Sequence, residues 1–484
     1  MSVVAPEPLS SNAVRRIFED LYRERTAPVP FPPGPNDFNV ERTFRFVRDP
    51  LPILLPLYRE HGPIFSMRVF HGRVVFMLGP QANHFMTVSN ADKFHWRTGS
   101  MGDLIPLLGD GLLTIDGDYH RRARRIMLPA FHRERIAASH ATMIEETEQA
   151  LASWREGEVL DVYHWARRLT LRVAMRALFG LDPDERGKGA QAAIEFERAL
   201  SFYGTDFVVR VMRGPRTPWR RMLAARKALD RIVYAEIERR RQQPDPERAD
   251  VMSMLIEATD AEDGSRLSNR EIRDQVMTLL FAGHDTTTST ISFMFYELAR
   301  HPAVVARLLA EQDAQLQHGR PTAAQLVGGE LPELEMVIDE TLRKYPPAWV
   351  GPRRAREAFE FEGVAVPERA FVNYSSWASH HLPDVFAEPE AFRPERFAPA
   401  AKAALAKGAY VPFGGGSRTC IGMRFGQLEV RAIASLILAN CSLSLPDTFQ
   451  MSMRQMPTLS PRDGVPMLVG PRALGAPAEF AAAA

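Results

Sequence analysis

Phe413-Gly414-Gly415-Gly416-Ser417-Arg418-Thr419-Cys420-Ile421-Gly422 is the stretch of this 484-residue chain that decides its fold. The glycines let backbone approach a neighbour closely, and the apolar run behind them reads as a long helix from Cys420 to about Asn440. A cysteine at that junction meets helix N-terminal amides and a macrodipole that favour thiolate over thiol, and the loop amides can donate hydrogen bonds to sulfur. The pattern points to an activated thiolate able to ligate a metal. Cys441, the other cysteine, lacks such surroundings and reads as a small core residue. Two cysteines are too few for a disulfide framework, a Cys-rich zinc site or an iron–sulfur cluster, and they fit a reducing compartment.

Upstream, Glu340-Thr-Leu-Arg343 sets a carboxylate and a guanidinium one turn apart on a helix from Leu331 to Lys344, which Tyr345-Pro346-Pro347 stops. Phe392-Arg-Pro-Glu-Arg396-Phe397 follows in a loop-rich stretch. Earlier still, Ser268-Asn-Arg-Glu271 is a capping-box signature opening the longest helix, which runs to Arg300 over roughly 45 Å with Pro302 just beyond. Its middle, Gly283-His-Asp-Thr-Thr-Thr-Ser-Thr290, is polar where a buried helix is usually apolar. A threonine hydroxyl bonded back to the preceding turn would widen the helix there into a groove. Tyr119-His120-Arg121-Arg122-Ala123-Arg124-Arg125 puts His120 and Arg124 one turn apart on a further helix.

In this order the pieces resemble the cytochrome P450 superfamily, whose haem-thiolate monooxygenases of the soluble bacterial type carry Phe, Gly, Arg, Cys and Gly at the offsets of Phe413, Gly416, Arg418, Cys420 and Gly422. Four fixed neighbours around a given cysteine arise by chance on the order of once in 10⁵. The resemblance runs from about the Pro-rich lead-in to Val469. It implies a fold that is mainly α with small β-sheets (α+β), the haem lying between the long central helix and the Cys-loop helix. It implies haem b with Cys420 as its metal ligand, Phe413, Gly414 and Gly422 in the binding loop, and O2 as co-substrate. A thiolate ligand pushes electron density toward bound dioxygen and favours O–O cleavage. Ala282 to Thr287 matches the oxygen-activation segment, so Thr286 and Asp285 are the expected catalytic residues, relaying protons to the distal oxygen. Glu340, Arg343 and Arg396 are the expected triad that holds the haem-binding loop. His120, Arg124, Arg418 and Arg353 are the expected partners of the haem propionates, since buried carboxylates require cations. His120 stands where the family often has tryptophan.

The resemblance implies hydroxylation or epoxidation of a small apolar substrate such as a terpenoid, steroid or fatty acid. It weakens over Phe94 to Leu113 and Phe202 to Trp219, which are expected to shape the substrate pocket. Met101, Ile105 and Leu108 belong to the first stretch. Phe202 opens the second, which also holds Phe207, Val208, Arg210 and Val211. Leu279, Ala282, Trp349 and Val350 are the remaining pocket candidates. A peroxide-driven peroxygenase or dehydrating isomerase of the same fold would not need Asp285-Thr286. A haem-thiolate sensor or carrier without turnover is the alternative from another class.

Lys+Arg (60) and Asp+Glu (59) nearly cancel, which gives no reason to expect nucleic acid. Arg121, Arg122 and Arg125 could form a basic patch on the thiolate side of the haem that steers an acidic ferredoxin or flavodoxin. Because the sequence stops soon after the cysteine helix, electrons from NAD(P)H are expected through such a separate partner and its reductase. The N-terminus lacks a secretory signal and any run of about 20 apolar residues, so a cytoplasmic monomer without a transmembrane anchor is expected. Residues 1–36 read as an N-terminal helix and Pro-rich lead-in, 37–475 as one catalytic domain, and 476–484 as an Ala-rich tail. In the first helix Val14, Ile17, Phe18 and Leu21 recur at helical spacing beside Arg15, Arg16, Arg23 and Arg25, which fits either docking on the body or lying on a membrane surface. Ile64–Val69 and Val74–Leu78 read as a hairpin, Phe359–Val366 and Ala370–Tyr374 as strands, and Ala137 to Arg343 as mostly helical.

Overall fold

The central helix, Asn269–Leu298, forms the axis of the molecule, and its start is the reciprocal capping box that the sequence signalled. Ser268 Oγ accepts from the Glu271 N–H at 3.2 Å while the Glu271 carboxylate accepts from the Ser268 N–H at 2.8 Å. The polar run in its middle is buried yet satisfied. Each hydroxyl from Thr286 to Thr290 donates to the carbonyl four residues back, Thr286 to Ala282 at 2.8 Å and Thr287 to Gly283 at 3.1 Å. The helix runs unbroken through this stretch, with the Thr286 hydroxyl bonded back to the preceding turn as expected.

The computed structural model describes residues 13–183, 187–205, 212–245, 247–248, 250–316 and 320–472. Phe207, Val208, Arg210, Val211 and the Ala-rich tail lie outside them. Helices Val162–Val173, Pro218–Gln242, Pro332–Lys344 and Met423–Asn440 pack against the central helix through one large apolar core. The last begins three residues beyond Cys420, with Gly422 as its N-cap, so the cysteine sits in the turn before the helix and not in its first turn.

Beside the helices lies a five-stranded sheet, ordered Ile64–Val69 (β1), Gly72–Met77 (β2), Phe371–Tyr374, Gly351–Ala355 and Phe94–His95. The first two form the expected hairpin in the register Ile64↔Met77 to Val69↔Gly72. The Phe359–Val366 segment is itself a hairpin, folded at Glu362 and Gly363, whose φ of 49° and 76° suit a tight turn that twists with its strands. Gly351–Ala355, every residue buried, is a strand that the sequence reading passed over. So is the small sheet of Val159–Asp161, Pro466–Pro471 and Cys441–Ser444. Such short strands are selected by partners far away in sequence, and no local period announces them.

The N-terminal helix, Ala13–Arg25, docks on the Arg68 and Arg73 face of the sheet. Glu24 pairs with both arginines, and Asp20 accepts from Arg354 at 2.9 Å. The Pro-rich lead-in then runs along the open edge of β1, where the carbonyls of Pro33 and Pro35 accept from Ser66 and Arg68 at 2.7 and 3.1 Å. Proline can serve there because only its carbonyl is asked for.

Candidate active site

Cys420 is exposed by surface area, yet its thiol is enclosed by protein, so it faces an internal cleft. Burial raises the thiol pKa, against the Gly422 N–H and the nearby Arg124 charge, which both lower it. The expected preference for thiolate is therefore not intrinsic to the loop. Desolvation outweighs the amides, and a cation at sulfur must supply the difference. In the middle of the central helix, Ala282, Gly283 and Thr286 are the half-exposed residues of an otherwise buried oxygen segment, and they share one face. A Cβ built on Gly283 would meet only Leu178, at 3.7 Å, and one on Gly422 would meet nothing within 4 Å. Gly415 and Gly416 differ: a Cβ there would come within 2.7 and 2.3 Å of Thr87, so the loop needs glycine to press on the segment Phe85–Ser89. Gly414 and Gly416 also adopt φ of 69° and 60°. Phe413 is half-buried against the main core, and its carbonyl accepts from the Cys420 N–H at 2.9 Å.

Arg353, Arg418 and His120 meet around two residues the sequence reading did not name, Trp96 and Asp116, and the charge of Arg124 reaches His120 and Arg418 from beside them. Arg353 lies 3.6 Å from the Trp96 ring centroid and Arg418 4.9 Å from it. Arg418 donates to Asp116 at 2.8 Å and to the Leu112 carbonyl at 3.3 Å. Burial works against the charge of Asp116, but His95, the N–H groups of Trp96 and Arg97, and Arg418 hold its pKa at about 2. Burial and the neighbouring arginines depress Arg418 to about 10, and burial lowers Arg353. Burial, then Arg418 and Arg124, push His120 down to about 3, so it is a neutral donor and not the cation expected. Three guanidiniums against one carboxylate leave two positive charges uncompensated, the complement of two buried carboxylates.

Behind the cysteine loop, Glu340 and Arg343 are fully buried and bidentate, at 2.7 and 2.9 Å. Arg396 Nε lies 3.4 Å from Glu340, an ion pair without hydrogen-bond geometry, and Arg396 donates instead to the Glu388 carbonyl at 2.8 Å. Arg343 also donates to the His380 carbonyl at 3.0 Å. His380 bridges onward: its Nδ1 pairs with the Arg343 carbonyl at 3.1 Å and its Nε2 accepts from the Val411 N–H at 3.0 Å. Burial holds His380 near pKa 3, so the neutral ring can be donor at one nitrogen and acceptor at the other. This unforeseen histidine ties the buried pair to the segment entering the cysteine loop.

On the other flank of the central helix, Asp285 is fully buried with both oxygens engaged, by Arg167 at 2.5 Å and Thr458 at 2.7 Å. Burial opposes its ionisation, and Arg167 overcomes that, so its pKa lies below the usual carboxylate value. Arg167 pairs also with the part-exposed Glu197 at 2.9 Å. Glu429, on the final helix, is another buried carboxyl, missed in the sequence. It bonds to the Thr287 side chain, Oε1 has no partner, and burial pushes its pKa up to about 8.

The pocket candidates divide. Leu279 and Ala282 share the cleft-facing side of the central helix, Met101 and Ile105 are half-buried, and Val350 is half-buried beyond the proline stop. Leu108 is fully buried in the main core. Phe202 packs edge-on against Tyr203 and Trp219. Trp349 belongs to a separate cluster beneath the sheet, with Phe46 and Trp377, and its indole N–H donates to the Gln455 carbonyl at 2.9 Å. Its neighbour Ala348 is the exposed residue of that turn. The expected basic patch is already neutralised: Arg122 pairs with Glu271, Arg125 with Asp260 and Glu262, and Arg121 with Asp118.

A flat dianion with an electron-accepting metal at its centre answers every imbalance in this cleft: the desolvated thiol, the open space at the two glycines, and the double excess of positive charge. The fold and site are those of a haem-thiolate protein. The family profile described as Cytochrome P450 matches residues 40–466, and the chain belongs to that family. A cyclooctat-9-en-7-ol 5-monooxygenase of Streptomyces melanosporofaciens is 33% identical over 411 residues, covering 83% of this chain and 86% of its own. A cyclooctatin synthase of the same organism is 34% identical over 399 residues, covering 81% and 84%. Among solved structures, the cyanobacterial CYP120A1 with retinoic acid bound superposes with a TM-score of 0.81 at 29% identity, over 92% of this chain and 99% of that one. The haem domain of cytochrome P450DA gives 0.82 at 26%, over 92% and 98%. The chain is thus an enzyme of the P450 monooxygenase kind, and haem and dioxygen come with the family.

Proposed function

We propose that this enzyme hydroxylates a small terpenoid-like hydrocarbon, with residues from about 37 onward as one catalytic domain. The observation that carries the reading is the enclosed Cys420 facing a cleft beside a cationic cluster two charges in excess. Cys420 would ligate haem b, while Arg124, Arg353 and Arg418, with His120 as a neutral donor, would hold the propionates. When bound, the haem supplies dioxygen binding and the oxidising power to insert one oxygen atom into a C–H bond, the other atom leaving as water.

The chain's own residues then have separable tasks. Thr286, on the cleft face, is tied to the Ala282 carbonyl at 2.8 Å and presents its hydroxyl oxygen to water in the cleft. Asp285 can pass a proton only by exchanging Arg167 or Thr458 for water, so the Arg167–Glu197 pair, which reaches solvent, sets that exchange. Leu279, Ala282, Met101, Ile105 and Val350 would give the substrate an apolar wall, and a terpenoid-like substrate is supported by the Streptomyces relatives, which are named for cyclooctat-9-en-7-ol and cyclooctatin. Electrons would come from NAD(P)H through a ferredoxin or flavodoxin and its reductase, in the cytoplasm, to a monomer.

Two measurements test this. Reduced protein under carbon monoxide should show the strongly red-shifted Soret band of thiolate-ligated haem, lost in Cys420→Ser. With surrogate ferredoxin and reductase, NAD(P)H-dependent oxidation should appear with a terpenoid panel. A normal band without turnover on any surrogate pair would mark a sensor or carrier instead.

A further inference from the structure

Thr458 holds Asp285 from a part of the chain that no motif near the oxygen segment announces. It lies 173 residues beyond Asp285, in a short hairpin whose strands Met453–Arg454 and Ser460–Pro461 pair in the register Met453↔Pro461 and Arg454↔Ser460. The hairpin is tied down on several sides. Arg454 donates to Ser460 Oγ at 3.0 Å and to the Tyr163 hydroxyl, the Leu459 N–H donates to the Pro347 carbonyl at 3.0 Å, and the Gln455 side chain donates to the Arg48 carbonyl at 2.8 Å. Thr458 itself is 7% exposed, and its hydroxyl donates to Asp285 Oδ2 at 2.7 Å.

The groups that face Asp285 are Arg167 with Glu197 behind it, His284 on its own helix, kept neutral by burial, and Thr458 and Arg454 on the hairpin. Its two oxygens are held unequally. Arg167 brings to Oδ1 a full positive charge that no water can replace, and stripping it from a buried carboxylate is costly. Thr458 gives Oδ2 a neutral O–H, and a water molecule offers the same donor. Oδ2 is therefore the oxygen that can be released, while the part-exposed Arg167–Glu197 pair marks the side from which water arrives. We propose that Thr458 is a positioning residue of the reaction, keeping Asp285 Oδ2 bound while the acid is idle and yielding it to water when a proton is passed. Once released, Oδ2 takes a proton from water on the solvent side and gives one to water in the cleft, so Asp285 ends ionised as it began. The inference rests on the reading of Asp285 as a proton relay and adds the hairpin 453–461 as the element that controls it.

Three variants of the haem-loaded full chain test this: Thr458→Val, which removes the hydroxyl at nearly constant volume, Thr458→Ser, which keeps it, and Asp285→Asn, which removes the acid. In infrared spectra titrated from neutral to acid pH, the protonated-carboxyl band of Asp285 is the one missing in Asp285→Asn. Thr458 is among the groups that hold that carboxyl below its usual pKa. Thr458→Val should therefore raise its proton affinity about tenfold or more, and Thr458→Ser should not. With surrogate ferredoxin and reductase on the terpenoid panel, Thr458→Val should lower kcat and product per reducing equivalent about threefold or more at unchanged KM. Thr458→Ser should behave as wild type, and Thr458→Val should add nothing in the Asp285→Asn background. The carbon monoxide spectrum checks that each variant is folded, and Thr458→Ala, which lacks the same hydroxyl, decides if the valine variant is not. A valine variant that titrates and couples like wild type while Asp285→Asn uncouples would overturn the inference alone. Wild-type coupling in Asp285→Asn, or no turnover on any surrogate pair, would overturn the relay reading and the inference with it.

Discussion

A carboxyl sealed between two helices, as Glu429 is, keeps its proton when an unfolded one has lost it. Its folded pKa of about 8 stands above the ordinary 4.5, so the folded state binds the proton more tightly. Its contribution is full below about pH 4.5 and is lost as pH rises through about 8. Glu429→Gln mimics the protonated acid, so denaturant unfolding should find wild type and variant alike near pH 5 and the variant ahead by a few kcal/mol at most near pH 8. A wild-type advantage that grows with pH would refute the burial account. At Thr286 the consequence is catalytic: Thr286→Ala should cut product per reducing equivalent about tenfold or more, with hydrogen peroxide accounting for the rest. Unchanged coupling would remove that hydroxyl from proton delivery. Cys420, Thr286, Glu340 and Arg343 could be named from the sequence because each lies in a short pattern of fixed spacing. Trp96, Asp116, His380 and Glu429 could not. Asp116 meets Arg418 across 302 residues, and nothing near either one signals the other.

Between elements, the strongest link to the oxygen segment is the buried Arg167–Asp285 pair, which joins Val162–Val173 to the central helix. Arg167→Ala strands a buried carboxylate, at about 3–5 kcal/mol near neutral pH. Without the cation, burial would raise the Asp285 pKa, so the penalty should shrink as pH falls toward about 5 and the group takes up a proton. Unfolding midpoints across that range check this, and a pH-independent penalty would show that packing, not charge, was lost. The central helix and the β1–β2 hairpin were legible because a capping box and a period of two are local signals. The strand Gly351–Ala355 hid behind the proline stop. Its five buried residues are selected by strands on either side that lie elsewhere in the chain.

At the scale of the whole molecule, the first helix and the Pro-rich strap close the sheet edge while their acids neutralise arginines of the sheet. Glu24→Ala would leave Arg68, only 5% exposed, without its carboxylate, and should cost about 3–5 kcal/mol in denaturant unfolding. A loss within about 0.5 kcal/mol would mean that the helix merely rests on the sheet. The sequence alone determined the chemistry: one cysteine in a glycine loop, one threonine-bearing helix and one buried Glu–Arg pair, each specified within a few neighbouring residues. Tertiary structure decided how the charges are spent. It brought Arg353 and Arg418 to Asp116 with Arg124 close by Arg418, made His120 neutral, bound Asp285 to Arg167 and used up the arginines of the presumed basic patch. The reason is electrostatic: a side chain's charge and partner depend on desolvation and on groups hundreds of residues away, which only the folded chain brings within a few ångströms.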